Sequence, residues 1–239
     1  MPATFTQCLA FCSGLALLGG CLLDADGNGR RVNEIRNVSD FTRVDLEGSF
    51  DVAIEQGDEI TVKVSIDSNL VDLINTRVVD GTLELDSDRP IGNTVSGPHV
   101  IVTMPTVRRA GLSGSGVLSL TGIDTEDPLS LDLDGSGDVH FEGTLNELSV
   151  RVEGSGDVDL EGDAEHVSLR LDGSGEIDAR RLQAQTGKLD LRGSGNIRAT
   201  VQDTVEVNLE GSGDIDLFGG AKVSDSSIEG SGDFHQHAL

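Results

Sequence analysis

The chain has 239 residues with 31 Gly, no Trp, no Tyr and 7 Phe, and its 42 acidic against 17 basic residues give a net charge of −25. A nucleic-acid binder is excluded in effect, because a phosphate backbone needs a basic surface, and without Trp or Tyr the usual stacking platforms for sugars and bases are missing too. An apolar content of 36%, mostly Val, Leu and Ile, is still enough to bury a core.

Met1 to Gly20 carries no charge, and its apolar run from Cys8 to Leu18 is too short for a spanning helix, so it reads as an export signal. The run ends in Leu18-Gly19-Gly20-Cys21, which resembles the lipobox of bacterial lipoproteins, although Met1 to Gln7 lacks the customary Lys or Arg. Residues 1–20 are therefore expected to be a lipoprotein signal peptide, Cys21 the lipidation site, and residues 21–36 a polar tether. Cys8 and Cys12 leave with the signal, so the mature chain has no disulfide and depends on its core. Acyl chains on Cys21 would anchor it to a membrane, and Leu22 in place of Asp fits outer-membrane sorting.

From residue 37 apolar residues begin to alternate. Val44-Asp45-Leu46-Glu47-Gly48-Ser49-Phe50-Asp51-Val52 reads as strand, corner, strand, and Ile60 to Ile66 alternates as a strand. Asp67 or Ser68 can cap a short helix carrying Leu70, Leu73 and Ile74, and Asp80-Gly81 is a hairpin turn. Arg89 to Pro98 is a loop, and Val100-Ile101-Val102 a strand closed by Pro105. Residues 37–106 read as elaborated N-terminal coils and a cap.

Residues 107–239 are a repeat. Gly-Ser-Gly recurs with its glycines at Gly114/Gly116, Gly135/Gly137, Gly154/Gly156, Gly173/Gly175, Gly193/Gly195, Gly211/Gly213 and Gly230/Gly232, so successive starts differ by 21, 19, 19, 20, 18 and 19 residues. Two residues ahead of each stand Leu112, Leu133, Val152, Leu171, Leu191, Leu209 and Ile228; two residues after stand Leu118, Val139, Val158, Ile177, Ile197, Ile215 and Phe234. Apolar columns with a strand period and a constant pitch near 19 predict an all-β fold. The expected form is a single-stranded, right-handed parallel β-helix of about 19-residue coils, with both glycines of each corner serving as structural turn residues, for positive φ or close backbone approach. A last coil around His235-Gln236-His237 is expected to be weakly protected, open to pairing with another copy.

The order Phe41-Thr42-Arg43-Val44-Asp45-Leu46-Glu47-Gly48-Ser49-Phe50-Asp51-Val52, then Ser68-Asn69-Leu70-Val71, Asp80-Gly81-Thr82-Leu83, Pro105 and Leu112-Ser113-Gly114-Ser115-Gly116 resembles the auto-transporter adhesin head GIN domain family. The likeness runs from about Val38 to Phe234, and residues 37–239 are accordingly assigned to that domain. It implies a bacterial envelope protein, often a lipoprotein, with a β-helical domain and no assigned catalytic residues.

Five of the seven corners are acidic. Asp138, Asp157, Glu176, Asp214 and Asp233 follow the last glycine in one column, with Asn196 an exception, and His140, Asp159, Asp178, Arg198, Asp216 and His235 form the next. The first column is a candidate Ca²⁺ site, because the ion takes several oxygen ligands, and the alternative is a solvated anionic face that keeps the solenoid soluble. Arg192 is expected to relieve Asp172 and Glu210, and Arg198 to relieve Asp178 and Asp216. Polysaccharide-cleaving β-helices make Asp178 with Arg198 a remote catalytic pair, but no aromatic groove accompanies it, and the expectation is no enzyme and no cofactor beyond calcium. Two functions follow: a lipid-anchored outer-membrane adhesin or binding module for an envelope protein or glycan, or a structural solenoid that assembles through its terminal coil.

Overall fold

Backbone meets backbone along one column of glycines. The computed structural model describes residues 24–94 and 99–237, so the expected signal peptide and the expected lipidation site Cys21 lie outside the described residues. Gly48, Gly114, Gly135, Gly154, Gly173, Gly193, Gly211 and Gly230 are parallel partners in successive coils. Gly154 shows why no other residue serves: its φ is +124°, and an added Cβ would lie 2.3 Å from the carbonyl oxygen of Gly135. Gly156 has an ordinary φ, yet its Cβ would lie 2.2 Å from the oxygen of Gly137. Between them the Ser155 N–H donates to that Gly135 oxygen at 2.8 Å.

The two glycines of a corner are therefore not equivalent: the first combines positive φ with close approach, and the second has close approach alone. Gly116, Gly137, Gly156, Gly175, Gly195, Gly213 and Gly232 lack the positive φ of their partners and lie just outside the strands. Close approach alone requires them. A Cβ at Gly175 would lie 2.0 Å from the Gly156 oxygen, at Gly195 2.3 Å from that of Gly175, at Gly213 1.9 Å from that of Gly195, and at Gly232 2.0 Å from that of Gly213.

The strands are β1 (Arg31–Arg36), β2 (Arg43–Gly48), β3 (Val52–Gln56), β4 (Thr61–Asp67), β5 (Ile74–Val79), β6 (Thr82–Ser87), β7 (Val100–Met104), β8 (Arg109–Gly114) and β9 (Val117–Thr125). They continue as β10 (Leu129–Gly135), β11 (Asp138–Gly154), β12 (Asp157–Gly173), β13 (Glu176–Gly193), β14 (Asn196–Gly211), β15 (Asp214–Phe218), β16 (Lys222–Gly230) and β17 (Phe234–Gln236). Ahead of the corner the parallel stack runs β6, β2, β8, β10, then the later halves of β11 to β14, then β16. After the corner it runs β7, β3, β9, then the earlier halves of β11 to β14, followed by β15 and β17. A short third side turns Leu145, Ala164, Ala184 and Val201 inward in one column. The result is the predicted all-β solenoid of stacked parallel coils of about 19 residues, about seven turns in all. Both apolar columns point inward; Leu133, Val152, Leu171, Leu191 and Leu209 are all buried.

The N-terminal third departs from chain order. β2 lies between β6 and β8, so the Gly48 coil stacks directly on the Gly114 coil, and the later segment β6 to β7 forms the layer outside it. Phe50 stands where the repeats have their second glycine, and its ring turns inward with no exposure to plug this end of the core. Antiparallel strands finish the cap: β1 on β4, β4 on β7, and the β5–β6 hairpin, whose Asp80 and Gly81 have φ of 48° and 76°. Two further expectations are corrected here. The tether of residues 21–36 is partly structure, since Ala25 is buried and β1 occupies Arg31–Arg36. The short helix is a single 3₁₀ turn, Val71–Leu73, with no side-chain cap; Arg36 Nη2 donates instead to the Val71 carbonyl at 2.7 Å.

The last coil is exposed along almost the whole of β16, and its inward columns turn polar. Ser226 falls in register with Val207, and Gln236 with Leu217, so polar side chains replace apolar ones in two inward columns. A register shift between Val205 and Glu206 bulges the edge, where Ser224 Oγ donates to the Val205 carbonyl and Gln236 Nε2 to the Ala221 carbonyl at 2.8 Å. A bulge with Asp225 and Glu229 beside it discourages edge pairing. Ile228 remains 48% exposed.

His99 locks the cap to the first coil. Its Nδ1 accepts the Asp51 N–H at 3.1 Å, its Nε2 lies 2.7 Å from Thr94 Oγ1, and burial lowers its pKa against the pull of Asp51 and Asp67 and with the help of Arg31. A lowered value means that the folded state binds fewer protons than the unfolded chain. Stability is therefore expected to fall as pH drops below about 6.5, and in His99→Asn, whose Oδ1 still accepts the Asp51 N–H, that part of the decline should vanish in paired urea titrations. The corner is tested by Gly156→Ala against Gly220→Ala, whose added Cβ meets nothing closer than 3.7 Å. The first is expected to lose roughly 3 kcal/mol or more of stability and the second about 0.5 or less.

Candidate functional site

Beyond the corner the candidate calcium ligands form a straight column. Asp138, Asp157, Glu176, Asn196, Asp214 and Asp233 are in parallel register, on strands roughly 4.8 Å apart. The side chains already serve their own backbone: Asp157 Oδ1 accepts the Glu176 N–H at 3.0 Å, Asn196 Oδ1 the Asp214 N–H at 3.3 Å, and Asp214 Oδ1 the Asp233 N–H at 3.0 Å. Among the described residues no three His, Cys, Asp or Glu side chains converge to hold a metal ion. The sequence motif Asp24-Ala25-Asp26-Gly27-Asn28-Gly29 has the spacing of the first half of a calcium loop. Its Asp26 Oδ1 instead accepts the Asn93 N–H at 2.9 Å.

Like charges stacked this way repel, and the relief runs mostly along the strands, because residues two apart share a face. Arg151 Nε donates to Glu153 at 2.7 Å, Arg170 Nε to Asp172 at 2.7 Å, and Arg180 Nε to Asp178 at 2.9 Å. The Arg180 hydrogen bonds hold Asp178 below the usual carboxylate range although burial works the other way. Arg192 and Arg198 lie in register between acids as expected, and each meets one of its two expected partners. Arg192 reaches Glu210 at 3.5 Å, while Asp172 is taken by Arg170; Arg198 pairs with Glu176 and lies 3.8 Å from Asp216, while Asp178 is taken by Arg180. Asp178 and Arg198 are thus register neighbours whose shortest ion pairs are made with other residues. His237 Nε2 lies 2.7 Å from Asp216 and its ring stacks on Phe218 at 4.5 Å, while His140 lies 3.4 Å from Asp159.

The most developed surface feature is on the other side of the corner. On the outer face of β8 only Arg109 is large; Gly111 and Ser113 leave a trough between the rims of β2 and β10. The trough belongs to an open hollow of about 470 Å³. Asp45 and Asp132 face each other across Gly111, and Arg109 bridges them, with Nε donating to Asp132 at 2.7 Å and Nη1 to Asp45 at 3.2 Å. The Asp132 hydrogen bond holds Arg109 above its usual pKa despite partial burial. The other oxygen of Asp45 is buried, with no hydrogen-bond partner among the described residues, where a Cβ on Gly111 would approach it to 2.6 Å. One step further, Glu47 and Asp134 face each other across Ser113 in the same way. Reading the repeats missed this trough, whose only signal is that Gly111 and Ser113 are small and alternate on one strand face.

An anionic β-solenoid with an open charged hollow belongs to the class of repeat-built solenoids. Residues 40–221 match the family described as "Putative auto-transporter adhesin, head GIN domain", and the chain belongs to that family. No curated protein matches it. Solved structures share its fold. A "putative adhesin" from Bacteroides fragilis NCTC 9343 is 24% identical, with TM-score 0.80 over 89% of this chain and 100% of that one. A "Putative lipid binding protein" from Parabacteroides distasonis ATCC 8503 is also 24% identical, with TM-score 0.73 over 90% of this chain and 100% of that one. A "putative adhesin" from Parabacteroides merdae ATCC 43184 is 18% identical, with TM-score 0.66 over 90% and 99%.

Because Asp157 and Asp214 already accept backbone N–H groups and no three acids converge among the described residues, excess Ca²⁺ is expected to leave the thermal midpoint where chelator leaves it. A rise of several degrees, equivalent to about 1–2 kcal/mol for a chain of this size, would instead assign the ion to Asp138, Asp157, Glu176, Asp214 and Asp233.

Proposed function

We propose that the protein is a non-enzymatic binding module of the bacterial cell envelope, exported and held to the outer membrane by lipid on Cys21, that engages a protein or glycan partner. Its family and two of its solved structural neighbours are named as adhesins, which supports an exported, surface or envelope location. The lipobox-like Leu18-Gly19-Gly20-Cys21 supports the anchor. The observation that carries the binding role is the open, charge-lined hollow on the β2–β8–β10 face, in a molecule many of whose other acids are occupied by arginines on the same strands. Asp178 and Arg198 make their shortest ion pairs with Arg180 and Glu176 rather than with each other, which favours binding over chemistry. The polar, bulged last coil favours a monomer over end-to-end assembly.

In the producing cell, Cys21→Ser is expected to move the protein from the membrane fraction to the soluble one and to abolish metabolic labelling with palmitate. Soluble protein carrying that change is expected to scatter light as a monomer at micromolar concentration and to bind whole cells or an envelope extract saturably. Discrete oligomers would transfer the assignment to the self-assembling alternative, and failure to bind any envelope fraction would remove the adhesin reading.

A further inference from the structure

The hollow over β8 contains its own template for a ligand. Asp45 on β2 and Asp132 on β10 sit either side of Gly111, and the guanidinium of Arg109 lies between them. Two residues along the same three strands, Glu47 and Asp134 sit either side of Ser113. Strand spacing puts the rims of both rungs roughly 9.6 Å apart. That span accepts a guanidinium hydrogen-bonded to both sides, as Arg109 is at the first rung, 2.7 Å from Asp132 and 3.2 Å from Asp45. At the second rung β8 supplies a serine in place of a cation, and among the described residues neither Glu47 nor Asp134 forms an ion pair. The neighbouring bases are already used: Arg77 pairs with Glu84 and Asp86, and Arg151 with Glu153. The buried, unpartnered Asp45 oxygen on the trough floor leaves this end of the hollow short of donors as well.

We infer that the Glu47–Ser113–Asp134 rung takes the arginine side chain of an extended, basic segment of a partner protein. The segment lies along β8, with its guanidinium bridging Glu47 and Asp134 beside the resident Arg109 and its neighbouring residues over the small side chains of the trough. The net charge of −25 attracts such a segment from a distance, and the rung gives it a register. No third carboxylate converges there to make a metal site, whereas a planar fork between two opposed carboxylates needs only two.

The inference rests on the binding-module reading and is tested apart from it. A fluorescein-labelled Gly-Ser peptide with one central arginine is titrated into mature protein by anisotropy, beside the same peptide with lysine or with citrulline, the neutral isostere. Arginine is expected to bind best, and citrulline about fivefold or more weakly, as two partly exposed ion pairs predict. The double variant Glu47→Gln/Asp134→Asn is expected to lose the same factor, as is Ser113→Arg, which places a cation in the rung from within. Glu165→Gln/Asp203→Asn, which removes equal charge from the third side, is expected to change nothing. Equal loss in both double variants would mean diffuse attraction to an acidic surface and would overturn the rung. Equal affinity for arginine and citrulline peptides would overturn it as well, as would no binding of any peptide. Retained envelope binding in Glu47→Gln/Asp134→Asn would keep the module reading while removing this site, and loss of all envelope binding in the parent protein would remove the module.

Discussion

The close approach of successive coils at one corner constrains everything else. Where Gly135 meets Gly154 and Gly137 meets Gly156, there is no room for a side chain between one carbonyl and the next α-carbon. That contact fixes the register of the strands on both sides, because a slip of one residue would set a side chain against a backbone and turn every apolar residue outward. With register fixed, residues at equal offsets from the corner must form columns. Aliphatic columns are favourable, burying Val, Leu and Ile against copies of themselves. Charged columns cost energy, and the sequence offsets that cost by placing arginines two residues from acids on the same strand face, at Arg151, Arg170 and Arg180.

The acidic corner is thus largely a consequence of repetition. An Asp in one copy stands beside an Asp in the next because both copies serve the same turn, and Asp157 and Asp214 each support the N–H of the coil stacked on them. Patterning by itself points to a ladder. Function needs a place where the ladder is interrupted.

How far the sequence was legible follows from the same constraint. Local pattern plus a corner determines register, so the inward columns through Leu133 and Val139 could be written down from offsets alone and appear as written. The division of labour within each corner was not legible, because two glycines look alike in sequence whether φ or a neighbouring carbonyl requires them. Nor was the outer layer of the cap. β6 and β7 carry no Gly-Ser-Gly, and their place outside β2 and β3 depends on a reversal of chain order that no local signal encodes. β1 was hidden for a similar reason: Arg31 to Arg36 is polar because it forms the exposed edge of the cap, and a polar edge strand has the composition of a tether. The last coil is as exposed as its sequence suggests, and Ser226 and Gln236, which look like decay of the repeat, give it a polar finish.

The position of the hollow follows from these irregularities. In the middle coils the outward positions level with Gly111 and Ser113 carry larger side chains, Arg151 and Glu153, then Arg170 and Asp172, then Asp190 and Arg192. Only where the Gly48 coil is inserted beneath the Gly114 coil does β8 present Gly111 and Ser113 between two fully furnished neighbours. Arg109 is needed there because removing it would leave Asp45 and Asp132 facing each other across an empty column, one of them already holding a buried oxygen with no donor. A repeat protein gains a distinct site by breaking its repeat once, and this chain breaks it at the junction between cap and solenoid, where the cap's own register supplies one rim and the first regular coil supplies the other.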